Sequence, residues 1–81
     1  MDSRFALVEK GMSGYDPAVV DDFLDRAKRV FEGEESGLVS SDIRQKVFPL
    51  VSHAGYATKA VDEALWRLEE AFADKERLEQ T

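Results

Sequence analysis

The stretch from Gly14 to Gly33, GYDPAVVDDFLDRAKRVFEG, is rewritten further along the chain as GYATKAVDEALWRLEEAF, Gly55 to Phe72. At a shift of 41, Gly14, Tyr15, Val20, Asp21, Leu24, Arg26 and Phe31 recur as Gly55, Tyr56, Val61, Asp62, Leu65, Arg67 and Phe72; upstream, Phe5, Leu7 and Val8 recur as Phe48, Leu50 and Val51 at a shift of 43. The two extra residues fall in the first loop. Identity at a Gly-Tyr, a Val-Asp, an Arg and along the apolar stripe exceeds what shared helicity gives, so the chain reads as an internal repeat. The copies cover about residues 5–33 and 38–79 of a single domain, 1–81. Each is a loop plus a long helix that cannot bury its stripe alone, and two copies can bury their stripes against each other.

Size makes that mutual burial necessary. A chain of 81 residues has a marginal core, and below roughly 70–80 residues folds usually need a staple. There is no cysteine, which removes disulfides and thiolate metal sites from consideration and makes the cytoplasm the expected compartment. Eleven basic against seventeen acidic residues leave a net charge of -6. That balance argues against nucleic acid as a partner, because phosphate affinity scales with Lys and Arg contacts. No apolar run approaches the roughly 18 residues of a membrane span.

Periodicity predicts an all-α fold: two loop-plus-long-helix repeats packed as a pseudo-twofold helical hairpin or short coiled coil, with one short connecting helix. In the first helix Val20, Leu24, Ala27 and Phe31 alternate four and three residues apart, flanked by Val19, Phe23 and Val30. Asp16 before Pro17 is a start signal, a capping carboxylate followed by a proline that loses no hydrogen bond at the first helical position. Asp22/Arg26 and Asp25/Arg29 have the spacing of i,i+4 ion pairs, and Gly33 supplies a stop after Glu32. Ser40 or Ser41 can cap a brief helix ending near Phe48, before Pro49. A loop over 49–57 follows, then a long helix from about Thr58 with the stripe Val61, Leu65, Leu68, Phe72. Only Leu78 continues that face, and the last residues are expected to fray. The first repeat lacks a leading short helix, since only Met1 to Arg4 precede Phe5. Parallel and antiparallel packing of the two long helices are both allowed by the linker length.

A short helix of the form D-I-x-x-K-x-F, a loop, and then G-Y-D-x-x-x-V-D-x-F-L-D resembles the amino-terminal domain of the DivIVA family of bacterial cell-division and polar-growth scaffolds. The first repeat supplies Gly14-Tyr15-Asp16, Val20-Asp21 and Phe23-Leu24-Asp25; the second supplies Asp42-Ile43, Lys46, Phe48, Gly55-Tyr56 and Val61-Asp62. Tandem copies are similar to the DivIVA-like repeat proteins of actinobacteria. The resemblance implies a non-catalytic interaction scaffold, protein partners of cell division or polar growth, and a parallel dimer. It also implies contact with the inner face of the cytoplasmic membrane, at septum or pole, through exposed loop residues.

The loops depart from that family pattern. The second reads PLVSHA, where His53 is the only candidate cation; the first reads ALVEKGMS, where Lys10 and Met12 stand in. One inserted Met and one Lys would contribute about 2–3 kcal/mol to membrane binding, too little to anchor a monomer. Tyr15 and Tyr56, at the loop–helix junctions, are expected to be packed with a bonded hydroxyl. For Asp21 and Asp62 two readings stand equal: a carboxylate favoured by the helix start, or a bond to the neighbouring loop. Ser40 and Ser41 are explained by capping, and His53 has no second His or Cys with which to hold a metal. No nucleophile–base pair, phosphate loop or metal set is present, so neither catalysis nor a cofactor is expected. Trp66 aligns with Asp25, one position off the stripe. It is a candidate partner-interface anchor, set against simple packing on the linker or the short helix.

Overall fold

The computed structural model describes residues 4–79. The expectations made for Met1 to Ser3 and for the last two residues lie outside that range. Element order is β1 (Gly14–Tyr15), α1 (Pro17–Phe31), α2 (Ser40–Gln45), β2 (Leu50–Val51) and α3 (Thr58–Glu79). The molecule is mostly helical, and the all-α expectation is corrected by a small antiparallel strand pair, Gly14 opposite Val51 and Tyr15 opposite Leu50. Single bridges from Tyr15 to Tyr56 and from Tyr56 to Leu7 extend it, so that four short segments lie side by side. Two-residue strands carry no alternation to read, and strand signals need about four residues or more.

α1 begins as its sequence dictates. The Asp16 carboxylate accepts from the Ala18 amide at 3.1 Å, and Pro17 occupies the first turn. It ends at Phe31, where Glu32 and Gly33 donate to the Lys28 and Val30 carbonyls at 3.0 and 3.1 Å. Gly33 has φ +85, the left-handed geometry in which a side chain is disfavoured, and Gly37 repeats it at φ +99. The chain therefore reverses over 33–37, and Leu38 returns to bury itself beside Ala27 and Phe72.

α2 differs from expectation at both ends. It stops at Gln45 instead of near Phe48, and the serines do not cap it. Val39 holds the cap position; its amide donates to Asp42 at 3.0 Å. The Ser40 amide and hydroxyl both go to the Glu76 carboxylate of α3, at 2.7 and 2.9 Å. A third contact, Arg44 to Glu69 at 2.8 Å, fixes α2 along α3. The i,i+4 pairs expected on α1 are likewise replaced: Arg29 turns to Glu35 at 2.6 Å, Arg26 lies 3.9 Å from the same carboxylate, and Asp25 bonds Arg4. Those partners arrive from folded-back segments, which a helix-only reading does not see.

The two long helices run in the same direction, so an antiparallel hairpin is excluded. Near their starts, Val20 and Val61 share a buried cluster with Phe48 and Tyr56. Near the end of α1, the Phe31 ring lies 5.5 Å from that of Phe72, and the Lys75 ammonium reaches the Phe31 carbonyl. A second cluster of Ala27, Leu38, Ile43 and Phe72 fills this end, with Phe23 and Leu65 packed against both clusters. No helix among the described residues is long and apolar enough to cross a membrane.

Candidate functional site

The repeated residues converge on one junction at the helix starts. Gly14 and Gly55 are both buried and stacked closely. A Cβ built on Gly14 would come within 2.5 Å of the Tyr56 carbonyl oxygen, and one on Gly55 within 2.7 Å of Gly14 Cα. Only glycine fits at either place. Around them the bonds are exchanged in both directions: the Tyr15 amide donates to the Tyr56 carbonyl at 3.0 Å, and the Tyr56 amide to the Tyr15 carbonyl at 2.9 Å. Asp16 N–H donates to Pro49 O at 2.9 Å, and Ala57 N–H donates to Ala6 O at 2.8 Å.

The side chains follow the same exchange. The Tyr15 hydroxyl donates to Asp62 at 2.9 Å, and the Tyr56 hydroxyl donates to Asp21 at 2.8 Å. Of the two readings of these aspartates, each therefore has its bond to the other half's Gly-Tyr segment. Phe5 stands edge-on to Tyr56 with ring centres 5.2 Å apart, and Phe48 tilts against Tyr15 at 5.5 Å. Burial, reinforced by the bonded carboxylates, raises the pKa of both tyrosines above the usual phenol value. Val20 and Val61 are fully buried beneath the junction, with Leu24 and Leu65 half-buried beside them.

Equivalence fails at one corner. In the first half, the Arg4 guanidinium bonds Asp25 and lies 3.7 Å from Asp21. This contact holds the Asp25 carboxyl below the usual range and pushes the Arg4 pKa up. The matching positions of the second half carry Val47 and Trp66, both exposed, with Trp66 at 61%. Trp66 lines a shallow recess with Ile43, Arg44, Lys46, Asp62, Leu65 and Glu69, so it borders the short helix without being covered by it. The Lys46 ammonium lies over the rings of Phe23 and Phe48 at 5.3 and 5.6 Å.

The loop residues Lys10, Met12 and His53 are all exposed, at the end where both long helices start. Sequence reading missed two neighbours there. Leu7 and Leu50, equivalent at a shift of 43, are also exposed, at 49% and 61%. In the fold they flank the bridged segments, with their backbones paired to Tyr56 and Tyr15. Among the described residues no cluster of three His, Cys, Asp or Glu side chains could hold a metal ion. Comparison with protein-family models, curated proteins and solved structures finds no match.

Proposed function

We infer that this chain is a non-catalytic, DivIVA-like interaction scaffold of bacterial cell division or polar growth, built as an intrachain duplicate of a loop-plus-helix unit. One observation carries the reading: the motif residues that bear the resemblance, Gly-Tyr and Val-Asp, are the ones exchanged in both directions across the junction. Shared helix chemistry alone would not place Gly14 against Gly55 and each tyrosine on the other half's aspartate. In this reading the repeated residues hold the scaffold together, and the unrepeated Trp66 offers the protein partner an aromatic anchor. A fluorescent fusion in an actinobacterial host tests it. Foci at septa or poles that disperse with Trp66→Ala support the scaffold, and uniform cytoplasmic signal for the unaltered chain sinks it.

The exposed Leu7, Met12 and Leu50 with Lys10 and His53 at one end favour a second reading, a peripheral adaptor on the inner face of the cytoplasmic membrane. Three apolar side chains instead of one raise the available insertion energy to about 4 kcal/mol or more. Co-sedimentation with anionic vesicles separates the two: pelleting that is lost in Met12→Ser and at high salt supports the adaptor, and a chain that stays in the supernatant removes it.

A further inference from the structure

We propose that the junction is also a self-association surface, through which two copies of this chain exchange halves. Residues 4–32 of one copy would pair with 38–79 of the other by the contacts now made within one chain. Three observations carry this. First, among the described residues every strand pairing and bridge joins one half to the other: Gly14 to Val51, Tyr15 to Leu50, Tyr15 to Tyr56 and Leu7 to Tyr56. Both Tyr–Asp bonds and the ring contacts Phe5–Tyr56, Tyr15–Phe48, Phe23–Phe48 and Phe31–Phe72 cross in the same way. A surface this complete in cis is equally complete when a second copy supplies the other half.

Second, the halves are joined covalently only through the segment 32–39, exposed except at Leu38. Its reversal depends on two left-handed glycines, Gly33 and Gly37. Third, those glycines stand in open space. A Cβ on Gly33 would meet nothing within 4 Å, and one on Gly37 only an Arg26 nitrogen at 3.6 Å. A side chain there strains the reversal and its Cβ meets no atom of either half more closely than ordinary van der Waals contact, which is the condition for shifting a closed chain to an exchanged dimer. In the unaltered protein the short linker holds the halves at an effective concentration of roughly millimolar, so the closed monomer dominates until the protein itself approaches that level. The inference stands on the contacts between halves and does not depend on the scaffold reading.

Gly33→Val/Gly37→Val in the full chain tests it by light scattering and circular dichroism. The expected result is a shift from monomer to twice the monomer mass at unchanged helix content, at a concentration at least tenfold below that needed by the unaltered chain. The dimer must persist with Trp66→Ala added, and a donor at Asp22→Cys on one copy must report close approach to an acceptor at Glu63→Cys on the other. A helical monomer, or a dimer abolished by Trp66→Ala, overturns the proposal. Should the double variant fail to fold, the unaltered protein decides. Two differently tagged populations are mixed at about 1 mM, held near the unfolding midpoint and cooled. Capture of one tag with the other after dilution supports exchange, and recovery of separate monomers alone rejects it.

Discussion

At the scale of the residue, the junction rests on side chains with no tolerance for change. Gly14→Ala places a methyl 2.5 Å from a backbone oxygen and against the Gly55 backbone. Backbone cannot yield as a flexible side chain would, so a loss of about 3 kcal/mol or more is expected, read as a collapse of the urea midpoint. Tyr56→Phe removes the donor to Asp21 and is expected to cost about 1–2 kcal/mol, a drop of several degrees in melting temperature. A double-mutant cycle with Asp21→Ala should return a coupling of similar size, and additivity would show that the bond contributes nothing. The glycines were legible because they repeat, and the tyrosines because a junction tyrosine needs a partner for its hydroxyl. Which aspartate served which tyrosine was not legible, since proximity across the junction leaves no trace in spacing along one helix.

The two tyrosines also set a pH dependence. Their folded pKa values lie above the ordinary phenol value, so the folded state favours the protonated form. The associated stability is fully present below about pH 10 and is lost as pH rises through the folded values. A melting temperature that falls steeply above pH 10 in the unaltered chain, and much less in Tyr15→Phe/Tyr56→Phe, is the expected outcome. Equal alkaline sensitivity in both would assign the effect elsewhere.

At the scale of the element, α2 is held from outside. Six residues are too few to form a stable helix alone, and Ser40, which looked like a cap, instead presents its amide and its hydroxyl to Glu76. Glu76→Ala is expected to raise the exchange rate of the Ser40 amide strongly and to cost about 1–2 kcal/mol. Unchanged protection at Ser40 would mean that another acceptor suffices. The long helices were readable from their period, and α1 from its Asp-Pro start. The strands were not, because Gly14–Tyr15 and Leu50–Val51 draw their pairing from each other, 35 to 37 residues away. The ion pairs on α1 went to Arg4 and Glu35 for the same reason: a folded-back chain outcompeted the i,i+4 neighbours, whose pairing is worth only a few tenths of a kcal/mol.

At the scale of the whole molecule, the two long helices lie in the same direction and the segments before them exchange equivalent bonds about the Gly14–Gly55 contact. The elongated shape, 49 × 20 × 18 Å, accords with two helices side by side beyond a small junction. The two apolar clusters are both built from residues of α1 and α3 with the segments between them, and the equivalence of the matched positions breaks at the exposed Trp66. Because the chain has no cysteine, pairs of spin labels report this geometry without background. Labels at Asp22→Cys/Glu63→Cys and at Arg29→Cys/Glu70→Cys occupy matched positions 41 residues apart. Similar, short distances are expected for both matched pairs, and a longer one for the crossed pair Asp22→Cys/Glu70→Cys, by an axial offset of about 10 Å for seven residues of helix. A crossed pair closer than either matched pair would contradict the shared direction of the helices.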